Sequence, residues 1–371
     1  MTITFQGAQA SSVQFANLPS ASDISEDSFT KGTISGPAEL RGAMIFNEKD
    51  ITQHGGGLNS QNLLRLLPDK IEDFMDYFSA IASMNMTNGA RACKITVSTS
   101  AASGIFTVDN VERLTIGQKL SLVDDNTTAV DVYVTAINMS TPSVTLSATR
   151  GGAAYDASDF TSAQNARLNH IGAAASGCES LRSMLLSSAN GGAASIAGVT
   201  KTSWPALQAQ QIEGASFTAS NVLDKIFDAY VQTRQRGRGK PNKCLMSHLR
   251  LGAVLKLLES GKGAYHIDQK SSKVKVYDWD SVTVVAPLGA LELVGLQELD
   301  NDLMFFLDTR PGVMKIYSNG GIKKRTNPET KNSYFEVRNT TGYQYIVDCG
   351  MQFSFNVNRP SYCGVVYGIT F

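Results

Sequence analysis

Arg234, Arg236, Arg238, Lys240 and Lys243 make the densest run of one sign in the sequence. Cations of this kind, held at the end of a helix, can grip phosphates or the carboxylates of another chain. The helix dipole favours positive charge at that end. No aromatic residue is interleaved with them, which argues against a platform for stacking bases. Lys323, Lys324 and Arg325, with Lys331 beyond them, form a second and weaker group. Either group can face nucleic acid or the acidic residues of a neighbouring copy.

Other chemistry-bearing residues do not assemble into a catalytic set. The chain has no HExxH, no GxSxG and no Walker A loop. Glu259-Ser260-Gly261-Lys262-Gly263 reads as a helix end followed by a loop. Gly237-Arg238-Gly239-Lys240 is too short for a dinucleotide fingerprint and follows a helix instead of a strand. His54, His170, His248 and His266 never fall at metal-ligand spacing. Cys178, eight positions after His170, could be a thiol nucleophile, but nothing nearby would lower its pKa, so a buried structural cysteine is expected. Asp124-Asp125-Asn126 and Asp300-Asn301-Asp302 offer oxygens for weak calcium binding, yet serve equally well as turns. The expectation is a protein that is not an enzyme, with no cofactor, no metal and no catalytic residues.

Composition points the same way. The 371 residues carry 33 Lys+Arg and 33 Asp+Glu, so the formal charge is zero. Neutrality removes the footprint of a dedicated nucleic-acid binder and the self-repulsion that keeps molecules apart. No stretch is long and apolar enough to suggest a membrane span, and Met1–Phe5 lacks the features of a signal peptide. Cys93, Cys178, Cys244, Cys349 and Cys363 are dispersed with no CxxC pair, a pattern of reduced, buried thiols.

The elements that would position these residues fall into blocks. Residues 1–58 show no sustained period, only short apolar runs and the turn signals Ser35-Gly36-Pro37 and Gly55-Gly56-Gly57. An arm that cannot bury itself needs partners, and other copies of the chain are the natural ones. Within this block 28–52 predicts an extended hairpin, Phe29–Ile34 with Glu39–Ile51. A helix in 59–90 carries Ile71, Phe74, Phe78 and Ile81 at helical spacing, with Pro68 expected in its first turn. Residues 91–170 turn to strands, Lys94–Thr99, Ile105–Val108, Lys119–Val123, Val130–Ile137 and Val144–Leu146, which predict a small inserted barrel or sandwich. Residues 171–215 are a low-charge connecting segment with one short helix over Glu179–Ser187. In 216–310 two helices flank the strand Lys243–Met246, with Ser220 and Ser247 as expected N-caps. Further strands follow, ending with a closing set in 311–371. The class is mixed α+β.

This order of blocks resembles the major capsid protein of tailed bacteriophages, whose shared architecture is the Hong Kong 97-type capsid fold. The local match lies in Ser216–Leu258: a helix led by Val222-Leu223-Asp224, a break at 239–241, the strand Cys244-Leu245-Met246-Ser247 and a second helix. Gly177–Leu186, then Ile196-Ala197-Gly198 and Trp204, resemble the segment that leads into the axial domain. The resemblance covers nearly the whole chain but rests on order and texture. It implies an N-terminal arm over 1–27, an extended loop at 28–56 (or alternatively 88–168), and a spine helix in the peripheral domain. It also implies an axial domain over 216–310, a peripheral sheet completed by 311–371, and a small β insertion domain.

The function so implied is self-assembly into pentamers and hexamers of an icosahedral head enclosing double-stranded DNA. The product would be a virion component assembled in the bacterial host cytoplasm. Partners would be other copies of the chain, scaffolding and portal proteins, a decoration protein and non-specifically packaged DNA, with no membrane. A start at Met1 suggests a separate scaffolding protein over a cleaved leader. The glycines at 55–57, 191–192 and 237–239 are where five-fold and six-fold surroundings would be accommodated. Two rivals stand beside this reading. One is another self-assembling subunit, of a tail tube, sheath or protein compartment. The other is an enzyme or carbohydrate-binding protein using the β insert, whose only tyrosines are Tyr133 and Tyr155 and which has no tryptophan.

Overall fold

The structure is a computed structural model that describes residues 2–6, 29–33, 38–47, 60–98, 104–123, 129–155, 167–171, 179–237, 239–259, 267–268, 281–286, 289–318, 323–324, 335–339 and 342–370. It opens with β1 (Thr2–Gln6), β2 (Phe29–Thr33) and β3 (Ala38–Asn47). β1 and β2 pair antiparallel, Thr2 opposite Thr33, so the beginning of the arm folds back on its own chain. The expected hairpin between 29–34 and 39–51 does not form. β3 instead pairs along all ten residues with a distant strand near the C-terminus, a longer ladder than a local turn ending in Pro37 would supply.

Helix α1 (Ser60–Asn88) follows, 29 residues long. It starts a full two turns before the expected position, so Pro68 lies inside it instead of in its first turn. Leu63, Leu64, Leu66 and Leu67 favour helix upstream, and the lost N–H of Pro68 removes one bond from many. Toward its C-terminal end Phe78, Ala82 and Met84 are buried.

Strands β4 (Arg91–Ser98), β5 (Ile105–Val108), β6 (Lys119–Val123), β7 (Val130–Asn138), β8 (Ser143–Ser147) and β9 (Arg167–His170) close into a barrel in the order β4-β5-β8-β7-β6-β9. Alternation dictates its inside. Phe106, Leu120, Leu122, Val132, Val134, Val144, Leu146 and Leu168 point inward while their neighbours face out. β9 is the closing strand: Leu168 lies opposite Cys93 of β4 on one side and Leu122 of β6 on the other.

The connecting segment holds α2 (Leu181–Leu185), capped by a reciprocal Ser180–Ser183 box, and the small ladder of β10 (Ser195–Ile196) with β11 (Val199–Thr200). Then come β12 (Gln210–Glu213), α3 (Val222–Gly237), β13 (Lys243–Met246), α4 (His248–Glu259), β14 (Ile267–Asp268), β15 (Ser281–Ala286), β16 (Gly289–Gly295) and β17 (Leu303–Leu307). The chain continues through β18 (Met314–Ser318), β19 (Lys323–Lys324), β20 (Phe335–Asn339), β21 (Gly342–Val357) and β22 (Gly364–Tyr367). A seven-stranded mixed sheet runs β12-β22-β17-β13-β16-β15-β14. Its interior strand β17, Leu303-Met304-Phe305-Phe306-Leu307, is buried at every position because both faces are covered. Val222, Ile226, Tyr230, Leu251 and Val254 of α3 and α4 pack against Met304 and Phe306 on one face. Leu181, Met184, Leu185 and Ile196 of the connecting segment pack with Phe305, Leu307 and Val365 on the other.

A second sheet is built on β21, which pairs with β3 along one side and with β18, β19 and β20 along the other. Ala82 of α1 packs on Phe353 of that strand. Cap positions differ from expectation. α3 begins one residue later, so Asn221 accepts the first helical bond from Lys225 at 3.0 Å, while the Ser220 hydroxyl pairs with that of Thr218. Ser247 accepts at its carbonyl from Leu251, but its buried hydroxyl makes no hydrogen bond among the described residues.

Candidate functional site

The strongest concentration of charge lies at the junction of the barrel, the connecting segment and the mixed sheet. Asp300, in the turn between β16 and β17, has a fully buried side chain. Three arginines from distant segments converge on it. Arg91 opens β4 and reaches Asp300 Oδ2 at 2.9 Å, Arg113 from the β5–β6 loop reaches Oδ1 at 2.6 Å, and Arg182 of α2 reaches Oδ2 at 2.7 Å. Arg91 also bonds Asp109 at 3.1 Å. Arg113 donates further to the carbonyls of Ala92 and Gln297, both at 3.3 Å, and the Asn88 amide donates to the carbonyl of Glu298.

Burial alone would raise the Asp300 carboxyl, but Arg91, Arg113 and Arg182 outweigh it and hold the group at about 2. Asp109 goes the other way: burial and the charge of Asp300 push it up against the pull of Arg91. His170, at the end of β9, is lowered to about 4 by burial and by Arg113. It is neutral at pH 7. Of the Asp300-Asn301-Asp302 turn, the Asp300 carboxylate serves as an ionic joint. Among the described residues no group of three or more His, Cys, Asp or Glu could hold a metal.

The predicted basic run is only partly brought together. The Arg234 guanidinium lies 5.6 Å from the Tyr230 ring centroid and bonds its hydroxyl at 3.1 Å. Lys240 is exposed, and its backbone N–H donates to Asp308 at 3.0 Å. Lys243 is paired with Glu292 at 3.2 Å. Arg236 lies in α3, and its side chain falls outside the described residues, as does Arg238 entirely. Lys323 and Lys324 form β19 on Gly350 and Cys349 of β21, well along the sequence from the first group, and Arg325 lies outside the described residues. Arg310 and Arg359, not singled out from the sequence, are also exposed; Arg310 is bonded to Asp308 at 2.7 Å.

Cys178, Asp124-Asp125-Asn126, His54 and His266 lie outside the described residues. Cys93, Cys244 and Cys363 are buried thiols, each raised by burial and unreactive. Sequence reasoning missed the ionic joint. One signal was present: Arg182 and Lys201 are the only cations between 171 and 215. Both are tied into the structure, Lys201 by donating to the carbonyls of Ser183 at 2.5 Å and Leu186 at 2.7 Å.

No protein-family model and no curated protein sequence matches the chain. Solved structures do. The capsid of cyanophage A-1(L) superposes on 100% of this chain and 88% of its own, at 12% identity and a TM-score of 0.50. The chain has a phage-capsid fold. At such low identity the likeness concerns architecture alone. The capsid of the empty GTA particle aligns with 100% of this chain and 85% of its own at 7% identity, with a TM-score of 0.44. A virus-like particle from Pyrococcus furiosus aligns over 43% of this chain, at 12% identity and a TM-score of 0.26, and the chain spans about half (54%) of that one's length. Neither of these weaker superpositions bears on the assignment. Within the capsid fold, the charged joint holds the barrel to the body by buried ion pairs. No helix among the described residues is long and apolar enough to cross a membrane.

Proposed function

We propose that the chain is a major capsid protein whose copies close into pentamers and hexamers of an icosahedral phage head around double-stranded DNA. The observation that carries this is the end-to-end superposition on the cyanophage A-1(L) capsid. In this reading α1 is the spine of a peripheral domain completed by the strands of 311–371, β18 to β21 among them. The mixed sheet with α3 and α4 is the axial domain, and 91–170 is an insertion domain. Closure of β4–β9 into a barrel supports an insertion over an extended loop, which leaves 28–56 for the loop. The protein works by covering surface, not by catalysis. Obligate assemblies bury about 2,000–5,000 Å² per interface, and arms laid across neighbours add area without enlarging a core.

Its partners are other copies of itself, scaffolding and portal proteins, a decoration protein and packaged DNA, and its place is the virion, after assembly in the host cytoplasm. The exposed Lys240 with Arg234, Arg236, Arg238 and Lys243, and the second group Lys323, Lys324 and Arg325, are contact points for neighbouring subunits or DNA. Formal neutrality supports a shell that encloses DNA without gripping it tightly at each subunit.

Negative-stain imaging and mass photometry of the full chain, expressed with and without a scaffolding protein, test this. Closed shells or capsomers are expected. A monomer under all conditions overturns the reading. Deleting 1–27 should prevent assembly while leaving the mixed sheet folded, and normal shells from that truncation would refute a role for the arm.

A further inference from the structure

We propose that Asn190 and Gly191, in the connecting segment, form a self-modifying site. The Asn190 side chain cyclises onto the Gly191 backbone nitrogen and opens in water to an aspartate or isoaspartate, whose carboxylate Arg182 receives. The sequence holds three Asn-Gly pairs, at 88–89, 190–191 and 319–320. Glycine leaves the attacking nitrogen unshielded by a Cβ. The pair at 319–320 lies outside the described residues, and the structure separates the other two.

Asn88 is 4% exposed, and its amide is held by the carbonyl of Glu298 at the end of the long helix α1. Asn190 instead ends a single-turn 3-10 helix, Ser188–Asn190, that has no side-chain cap. Ser188, Ala189 and Gly191 are exposed, and the Asn190 side chain makes no hydrogen bond or ion pair among the described residues. Gly191 has a φ of 85°, and its N–H donates to the carbonyl of Ser188 at 3.3 Å. Freeing that nitrogen breaks one long bond in a short exposed turn.

Arg182 is the second observation. Its Nη1 bonds Asp300 at 2.7 Å, whereas its Nη2 and Nε make no hydrogen bond among the described residues. That free edge lies against the reacting peptide: a Cβ built on Gly191 would stand 3.2 Å from Nη2 and 4.0 Å from Nε. A cation there favours loss of the Gly191 amide proton and stabilises the oxyanion that forms at Asn190 Cγ. Hydroxide from solvent takes the proton, the Gly191 N–Cγ bond forms, and the Cγ–Nδ2 bond breaks as ammonia leaves a succinimide. Water then adds to one of the two ring carbonyls and opens it to aspartate or, with one more backbone methylene, isoaspartate. No oxidation or reduction is involved. The new carboxylate meets the free edge of Arg182 in a charge-assisted pair, so the reaction adds one negative charge beside the ionic joint.

Mass spectrometry of the full-length protein, aged in mildly alkaline buffer made with heavy-oxygen water and then digested, tests this. The peptide carrying Asn190 should exchange its amide for one labelled oxygen about tenfold faster, or more, than the peptide carrying Asn88, which must first open locally. In urea the two should react at similar rates. Arg182→Gln should slow Asn190 severalfold in the folded chain and leave its rate in urea unchanged. An Asn190 amide that survives in the folded chain while it reacts in urea, or an equal rate at Asn88, overturns the site. A folded-state rate unchanged in Arg182→Gln overturns the part given to the guanidinium. The readout makes no use of assembly, so it stands apart from the capsid reading.

Discussion

Arg113 Nη1 donates to Asp300 Oδ1 at 2.6 Å across 187 residues of sequence, with both side chains essentially excluded from solvent. That contact and the one from Arg91 at the start of β4 join the barrel to the mixed sheet, and Arg182 brings the connecting segment to the same carboxylate. Removing one member of a buried pair costs about 3–5 kcal/mol, because the others are left charged and unsatisfied. Asp300→Asn should therefore destabilise the protein by roughly that amount, since it strands Arg113 and Arg182 and leaves Arg91 only Asp109. Denaturant unfolding with separate probes in the barrel and the sheet would check this. A loss below about 1 kcal/mol would mean that water reaches the junction freely.

Acid should act on this joint in two stages. His170 is at about 4 in the folded chain against an ordinary 6.5, so between these values the unfolded chain takes up the proton first. Stability should fall as pH drops from 6.5 to 4, by about 3 kcal/mol at 1.36 kcal/mol per unit. Asp109, raised when folded, opposes this at the lower end by gaining its proton before the unfolded chain does. Asp300 is depressed to about 2, so its contribution persists above the ordinary carboxylate value of 3.8 and is lost as pH falls through 2. Chemical denaturation from pH 7 to 3 should show the first stage in wild type and a much flatter profile in His170→Gln. Parallel profiles would remove His170 from the account.

Much of this fold is readable from side-chain period alone. Ile105–Val108 and Lys119–Val123 stand out because alternate residues must fill a barrel, and Leu303–Leu307 because a strand covered on both faces can be apolar throughout. What could not be read is pairing at a distance. β3 looks like half of a local hairpin, yet its partner lies some three hundred residues on in β21. Arg167–His170 has too few apolar residues to announce a strand, and only closure of the barrel demands it. The ionic joint is hidden for the same reason. Asp300 sits in a turn-forming Asp-Asn-Asp, and nothing local marks which arginines it will meet. The exposed cations were legible as a run, but their spatial grouping was not.

Close backbone approach makes a sharper prediction at Gly364. A Cβ there would run into the Thr233 side chain of α3, and at Gly239 it would run into the backbone carbonyl of Tyr362. Gly239→Ala should be the worse of the two, because backbone cannot rotate aside whereas Thr233 can choose another rotamer at the expense of its 2.8 Å bond to the carbonyl of Ala229. Overpacking of this kind costs about 1–3 kcal/mol. Midpoints of thermal unfolding for the two alanine variants would rank them, and the reverse order would show that the α3–β22 contact is the stiffer one.

Lys201 supplies the last test, because its ammonium group is buried without a bonded carboxylate among the described residues. Its Nζ donates to the carbonyls of Ser183 and Leu186, one in α2 and one just past its end, where positive charge suits the helix dipole. Burial lowers it to about 8, against a weaker raising effect of Glu179. A neutral amine still carries two N–H groups, enough for both carbonyls, so losing the proton need not break the cap. Between 8 and the ordinary 10.5 the unfolded chain holds the proton more tightly, and stability relative to Lys201→Met should rise with pH across that window. Lys201→Met itself should destabilise at pH 7 by about 1–3 kcal/mol, the cost of leaving buried acceptors unmet. Paired urea titrations at pH 7 and pH 10 measure both effects. A wild-type advantage that shrinks at the higher pH would show that the charge, and not the pair of N–H donors, holds the end of α2.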